Sequence, residues 1–168
     1  MSKRKYKKLA VAFSGPSNSG KTTLIVKVAN ILQDEGNKVC IVKHDPKDKA
    51  RFDTPGKDSD KFSQTGADVA VVSPNRTTLF KKESSTIDEL ITLFGEFDYL
   101  LVEGLKTLPL PRISIFRDML DESYFKVTNA IAFDNTIKYE DIPENIDKLD
   151  LNNPEQVVEW IENNAKRV

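Results

Sequence analysis

Eight residues, Gly15-Pro16-Ser17-Asn18-Ser19-Gly20-Lys21-Thr22, constrain this chain more than any other stretch. They fit G-x-x-x-x-G-K-[ST], a loop that wraps phosphate groups, and the pattern carries that meaning when it joins a strand to a helix. Upstream, Leu9 to Phe13 is a continuous apolar run of the kind that forms a strand buried on both faces. Downstream, Leu24, Val28, Ile31 and Leu32 recur on one helical stripe. The required order of strand, glycine loop and helix is met.

The residue types suit a triphosphate. Gly15 and Gly20 let the main chain approach an anion closely. Successive N–H groups then point inward, and the helix that opens near Lys21 adds the positive end of its dipole. Lys21 would reach the β and γ phosphates, and the Thr22 hydroxyl would ligate the Mg²⁺ that bridges them. Ser17, Asn18, Ser19 and Thr23 complete the candidate nucleotide contacts around the loop.

With 168 residues and 39% apolar content, the chain can bury one α/β core, so residues 1–168 read as a single nucleotide-binding domain. Residues 1–7 form a basic arm through Lys3, Arg4, Lys5 and Lys7, continued by Lys8 and expected as a solvated terminus. Elsewhere 25 Lys and Arg balance 26 Asp and Glu, so no global field draws the protein to nucleic acid. No apolar run approaches the roughly 18 residues of a membrane span, and no signal-type segment follows the basic start. A cytoplasmic protein is expected. The single cysteine, Cys40, sits in an apolar run and reads as a small packed hydrophobe.

Further along, Gly36 stands where a left-handed cap would end the first helix, and Lys38 to Lys43 reads as a second strand finishing at Lys43-His44-Asp45. Pro46 to Lys57 is polar and broken by Pro55-Gly56, a loop; Asp58 to Gln64 suits one or two helical turns. Val69 to Ser73 and Thr77 to Lys81 flank Pro74-Asn75-Arg76 as a hairpin or two short strands. Thr86 and Glu89 have capping-box spacing before a helix that Gly95 stops. Tyr99 to Val102, Arg112 to Phe116 and Ala130 to Phe133 read as strands, and Asn153-Pro154-Glu155-Gln156 opens a terminal helix. Alternating strands and amphipathic helices predict a three-layer α/β fold of the P-loop NTPase type, a mainly parallel sheet with helices on both faces. Ligands of such sheets bind beyond the carboxyl ends of the strands.

A phosphate loop needs a nearby carboxylate for the metal. Glu103 directly follows the Tyr99 to Val102 strand and is the candidate; Asp98 precedes the same strand and would lie at its opposite end. Asp45 either approaches the magnesium or a water at the γ phosphate, or starts the Asp45-Pro46 turn. Asp134 and Asn135 end another strand and either meet a purine edge or serve as turn residues. His44 is the only histidine, so no histidine metal cluster can form.

The segments GPSNSGKTTL, VKHD, DTPGKDSDKFSQTGADVAVVS, FDYLLVEGLK and PRISIFR together resemble the MobB family of molybdopterin-guanine dinucleotide biosynthesis adapter proteins, from about Lys8 to Phe133. The resemblance implies a GTP- and Mg²⁺-binding homodimer with weak GTPase activity. It implies as partner a guanylyltransferase that joins GMP to molybdopterin, with molybdopterin itself nearby. Gly15, Ser19, Gly20, Lys21 and Thr22 carry over as phosphate and magnesium contacts, and Glu103 as the acidic residue. Lys43, His44, Asp45, Asp53, Gly56, Lys57, Asp58 and Ser59 match family segments without an assigned role. Relatives that dimerise around nucleotide often carry a second lysine after the first loop glycine; Pro16 occupies that place and excludes it. No N-K-x-D string selects guanine, so GTP follows from the resemblance alone. The competing class is a small-molecule kinase, which usually adds an arginine-bearing lid; Arg51, Arg76, Arg112 and Arg117 are scattered. A metal carrier would need a Cys/His cluster that the chain lacks.

Overall fold

The computed structural model describes residues 4–168. By their contacts they divide into two compact units, one of residues 4–44 with 96–168 and one of residues 45–95.

The larger unit is built on strands β1 (Leu9–Ser14), β2 (Val39–Lys43), β5 (Tyr99–Glu103), β6 (Arg112–Phe116), β7 (Ala130–Phe133), β8 (Asp147–Asp150) and β9 (Lys166–Arg167). They form a seven-stranded sheet of order β2-β5-β1-β6-β7-β8, all parallel, with β9 pairing antiparallel to β1. β9 pairs with Leu9 and Ala10, while β6 pairs with Ala12 to Ser14, so the two strands share one edge of β1 end to end. The apolar central strands exclude water completely; every residue of β6 is buried.

One face of the sheet packs against α1 (Lys21–Asp34) and α4 (Pro154–Asn164). Leu24, Val28 and Leu32 of α1 and Val157, Trp160 and Ile161 of α4 fill this core with Val11, Phe13, Leu101 and Ile115. Gly36 has φ +81 and its N–H bonds to Gln33, so the helix ends on the left-handed turn that the sequence predicts. On the opposite face, 3-10 turns at Glu122–Val127 and Tyr139–Asp141 flank a cluster of Phe116, Ile131, Ile137, Ile142 and Ile146.

In the basic arm Arg4, Lys5 and Lys7 are exposed, and the arm is also tethered: Arg4 pairs with buried Asp98 at 2.6 Å, and the Lys7 amide donates to the same carboxylate at 3.2 Å. The carboxylate also accepts the Lys38 amide at 2.7 Å, which ties arm, β2 and β5 together at the amino end of the sheet. Lys3 lies outside the described residues. Cys40 packs as expected, and burial raises its thiol pKa against the opposing pull of Lys38 and Lys8.

The unit of residues 45–95 holds α2 (Asp58–Gln64), the antiparallel hairpin β3 (Val69–Ser73) and β4 (Arg76–Phe80), and α3 (Ile87–Phe94). The capping box forms as the spacing predicts, Thr86 Oγ1 accepting from the Glu89 amide and Glu89 from the Thr86 amide. No residue of this unit is buried, although Phe52, Phe62, Val72 and Leu93 are apolar and largely exposed. No described helix is long and apolar enough to cross a membrane.

Candidate functional site

At the carboxyl end of β1 the chain must turn back sharply to start α1. Gly15 makes this possible: its φ is +148, and a Cβ there would lie 2.5 Å from the Ile115 carbonyl oxygen of β6. Asn18 (φ +61) and Gly20 (φ +91) supply the other left-handed positions. Gly20 caps α1 with no side-chain hydrogen bond, whereas Thr86 caps α3 and Asn153 caps α4. The first-turn amides of α1 are thus left for an external acceptor, at the positive end of the helix dipole.

Ser19 adds an independent sign. It is 3% exposed, and its hydroxyl has no hydrogen-bond partner. An unpaired buried hydroxyl costs stability, and this one lies inside the loop.

Glu103 ends β5 beside the loop, in register with Phe13 of β1 and Lys43 of β2. Lys21 Nζ donates to the Gly15 carbonyl at 2.9 Å and lies 3.5 Å from Glu103 Oε1, both side chains being mostly buried. Lys43 Nζ approaches the other carboxylate oxygen at 4.0 Å from the solvent side. Together with Ser17, Asn18, Gly20, Thr22 and Thr23 these residues line a cavity of about 510 Å³. Amides, an ammonium and a hydroxyl facing one carboxylate make a set suited to a polyphosphate and a magnesium ion, which binds through few carboxylates plus phosphate oxygens.

Arg112 supports this floor from below. It is completely buried at the start of β6, and its guanidinium donates to Ser14 Oγ, the Gly104 carbonyl and the Leu105 carbonyl at 2.7, 2.7 and 2.8 Å. Burial lowers its pKa. It thereby fixes the residues that follow Phe13 and Glu103. His44 packs over Gly104, where a Cβ would come within 3.0 Å of the His44 Cβ.

Asp45, a candidate nucleotide contact from the sequence, belongs to the unit of residues 45–95. Its carboxylate accepts the amides of Lys47, Lys49 and Ala50, the last two at 2.6 Å, so it organises the turn that begins there. Asp134 is likewise engaged, by Arg117 at 2.9 Å and by Thr136. The Thr136 hydrogen bonds, outweighing burial, and the Arg117 charge hold its carboxyl below the usual range. Arg117 is the residue that sequence reasoning passed over: it lines the loop cavity. The signal was available, since Arg117 directly follows β6 at the same rim where Glu103 ends β5.

The loop, its neighbouring acid and the parallel sheet put the chain among the P-loop NTPase folds. The model of the family described as "Molybdopterin guanine dinucleotide synthesis protein B" matches residues 10–135, and the chain belongs to that family. It is 34% identical over 122 residues, 70% of each chain, to a probable molybdopterin-guanine dinucleotide biosynthesis adapter protein of Bacillus subtilis. It is 31% identical over 168 residues to the Escherichia coli adapter protein of that name, covering 90% of this chain and 93% of the relative. A crystal structure of molybdopterin-guanine biosynthesis protein B superposes with a TM-score of 0.73 at 23% identity, over 92% of this chain and 99% of the other. Membership assigns the chain to molybdopterin guanine dinucleotide biosynthesis.

Proposed function

We propose that the chain binds GTP with Mg²⁺ in the loop cavity and acts as an accessory protein beside a guanylyltransferase that joins GMP to molybdopterin. Gly15, Ser17, Asn18, Ser19, Gly20, Lys21, Thr22 and Thr23 hold the nucleotide, and Thr22 with Glu103 holds the metal. The observation that carries this reading is the Glu103 carboxylate beside Lys21, 3.5 Å away, at the mouth of the loop. The unsatisfied Ser19 hydroxyl and the uncapped α1 support it. The adapter role is supported by the names of the relatives.

Hydrolysis is slow in this reading, because among the described residues the loop cavity is lined by no carboxylate or imidazole besides Glu103, which holds the metal, and the Nε of Arg117 is held by Asp134. The protein works in the cytoplasm and as a homodimer. The dimer is supported by residues 45–95, a unit with no buried residue, a lone hairpin and exposed Phe52, Phe62 and Val72. A two-stranded hairpin is marginal without a surface to cover it, and a second copy supplies one.

Calorimetry tests the site: GTP should bind saturably only with Mg²⁺, and Lys21→Ala should abolish binding. Turnover of GTP by the protein alone at about 1 to 100 per second would refute the adapter reading. A scattering mass that stays monomeric at all concentrations would refute the dimer.

A further inference from the structure

The end of the larger unit away from the phosphate loop carries a cavity of about 640 Å³, lined by Arg4, Lys5, Tyr6, Lys8, Glu96 and Arg167. It opens where β1 and β5 begin: Leu9 starts β1, Glu96 and Phe97 lead into β5, and Arg167 of β9 stands in register with Leu9. The loop follows the other end of β1, six residues or about 20 Å along the strand.

The backbone here is held in an unfavourable form that places cations together. Lys8 has φ +53, a left-handed conformation that a side chain disfavours. It is strapped on both sides, its N–H donating to the Phe97 carbonyl at 3.2 Å and its carbonyl accepting the Val168 N–H at 2.9 Å. β9 consists of Lys166 and Arg167, both exposed, so its pairing with β1 buries neither side chain and instead brings two more cations to the arm. The arm's own cations are ordered in advance: Arg4 lies 5.0 Å over the Tyr6 ring, Lys7 4.9 Å over Tyr99 and Lys8 4.5 Å over Phe97. Such contacts reduce the rotamer freedom that long side chains would lose on binding. Among the described residues no carboxylate forms an ion pair with Lys5, Lys7 or Arg167.

The charge distribution limits what can sit there. Arg4 to Lys8 hold four cations in five residues, whereas residues 118–165 hold 12 acidic residues against three lysines. Asp34 and Glu35 close α1 beside Gly36, whose carbonyl accepts from Arg4 at 2.8 Å, so acids also border the patch. An extended polyanion such as a nucleic acid or an anionic membrane would meet that acidic surround as it ran past the cations. A short run of carboxylates stays within the basic area, and an arginine fork accepts a carboxylate through two parallel hydrogen bonds.

We propose that this cavity docks a short acidic segment of a partner protein, its carboxylates meeting Lys5 and Arg167, while the loop at the other end of β1 stays open. The proposal goes beyond the nucleotide reading and does not rest on it. Fluorescence anisotropy tests it on the whole protein with labelled hexaglutamate at about 50 mM salt, hexaglutamine being the uncharged counterpart. Hexaglutamate should bind saturably and hexaglutamine should not. Lys5→Glu with Arg167→Glu should weaken binding about tenfold; Lys126→Glu with Lys138→Glu, the same change in net charge at two other exposed lysines, should weaken it less than about twofold. Thermal midpoints verify folding, and Lys5→Gln with Arg167→Gln, expected to weaken binding about threefold, replaces the reversal if that variant is unfolded. Absence of saturable hexaglutamate binding, or equal losses in the two reversed variants, would overturn the proposal. Tighter binding of phosphatidylserine vesicles or of an oligodeoxythymidylate than of hexaglutamate, lost on reversal of Lys5 and Arg167, would overturn it in favour of a membrane or a nucleic acid.

Discussion

Replacing Gly15 by alanine tests the closeness of β1 and β6 at the loop, and Gly36→Ala provides the control. Both glycines have positive φ, +148 and +81, but only Gly15 is crowded: its Cβ would stand 2.5 Å from the Ile115 carbonyl oxygen, while nothing lies within 4 Å at Gly36. At Gly36 the cost is backbone strain alone, about 1 kcal/mol. At Gly15, strain of about 1–3 kcal/mol adds to an overpacking cost of about 1–3 kcal/mol, because the oxygen belongs to the backbone of a fully buried strand and cannot swing aside. Taking about 4 kcal/mol in total, the difference between the variants is about 3 kcal/mol, or about 1.5 M in urea midpoint at a slope of about 2 kcal/mol/M. Both positions belong to the same compact unit, so its transition, followed by the fluorescence of Trp160, reads both. Equal urea midpoints for the two variants would refute the steric argument and with it the geometry assigned to the loop.

Asp98 should make the protein acid-sensitive. Burial pushes its carboxyl up, but the Lys38 and Lys7 amides and the Arg4 guanidinium outweigh this and hold it below the usual value. A depressed folded pKa gives stability that is complete above the unfolded value near about 3.9 and is lost as pH falls through the folded value. Asp98→Ala should cost about 2–4 kcal/mol at neutral pH and flatten the acid limb of urea midpoint against pH; an unchanged limb would contradict the account. Arg112→Met strands the Gly104 and Leu105 carbonyls and the Ser14 hydroxyl, and should cost about 3 kcal/mol in chemical denaturation while weakening Mg²⁺-dependent nucleotide binding in calorimetry. Trp160→Phe removes the indole hydrogen bond to Asp147 at 2.7 Å and should cost about 1 kcal/mol, read from the thermal midpoint followed by circular dichroism.

The amino-acid order by itself determined what depends on neighbours along the chain. The β1 strand, the glycine loop and α1 follow from a buried run, two glycines and a helical stripe within about two dozen residues. The Thr86 capping box, the Gly36 stop and the Asn153 cap follow from spacings of three or four residues, over which backbone hydrogen bonds act. Glu103 was legible because a strand end is a local signal and parallel sheets put all such ends on one rim. Other features were illegible because contacts between distant segments create them. β8 and β9 read Asp-Lys-Leu-Asp and Lys-Arg, too polar to announce a strand; they form because β7 and β1 offer unpaired edges. Arg112 looks like any surface arginine until three acceptors from β1 and the turn after β5 surround it. Asp45 carries no mark in sequence that tells a turn cap from a site residue, and the strand-end position of Arg117 is a signal that does not by itself tell a loop contact from a turn residue. Only the fold, by closing amides around one and setting the other against Gly20, assigned their places, since burial and hydrogen-bond pairing belong to the assembled sheet.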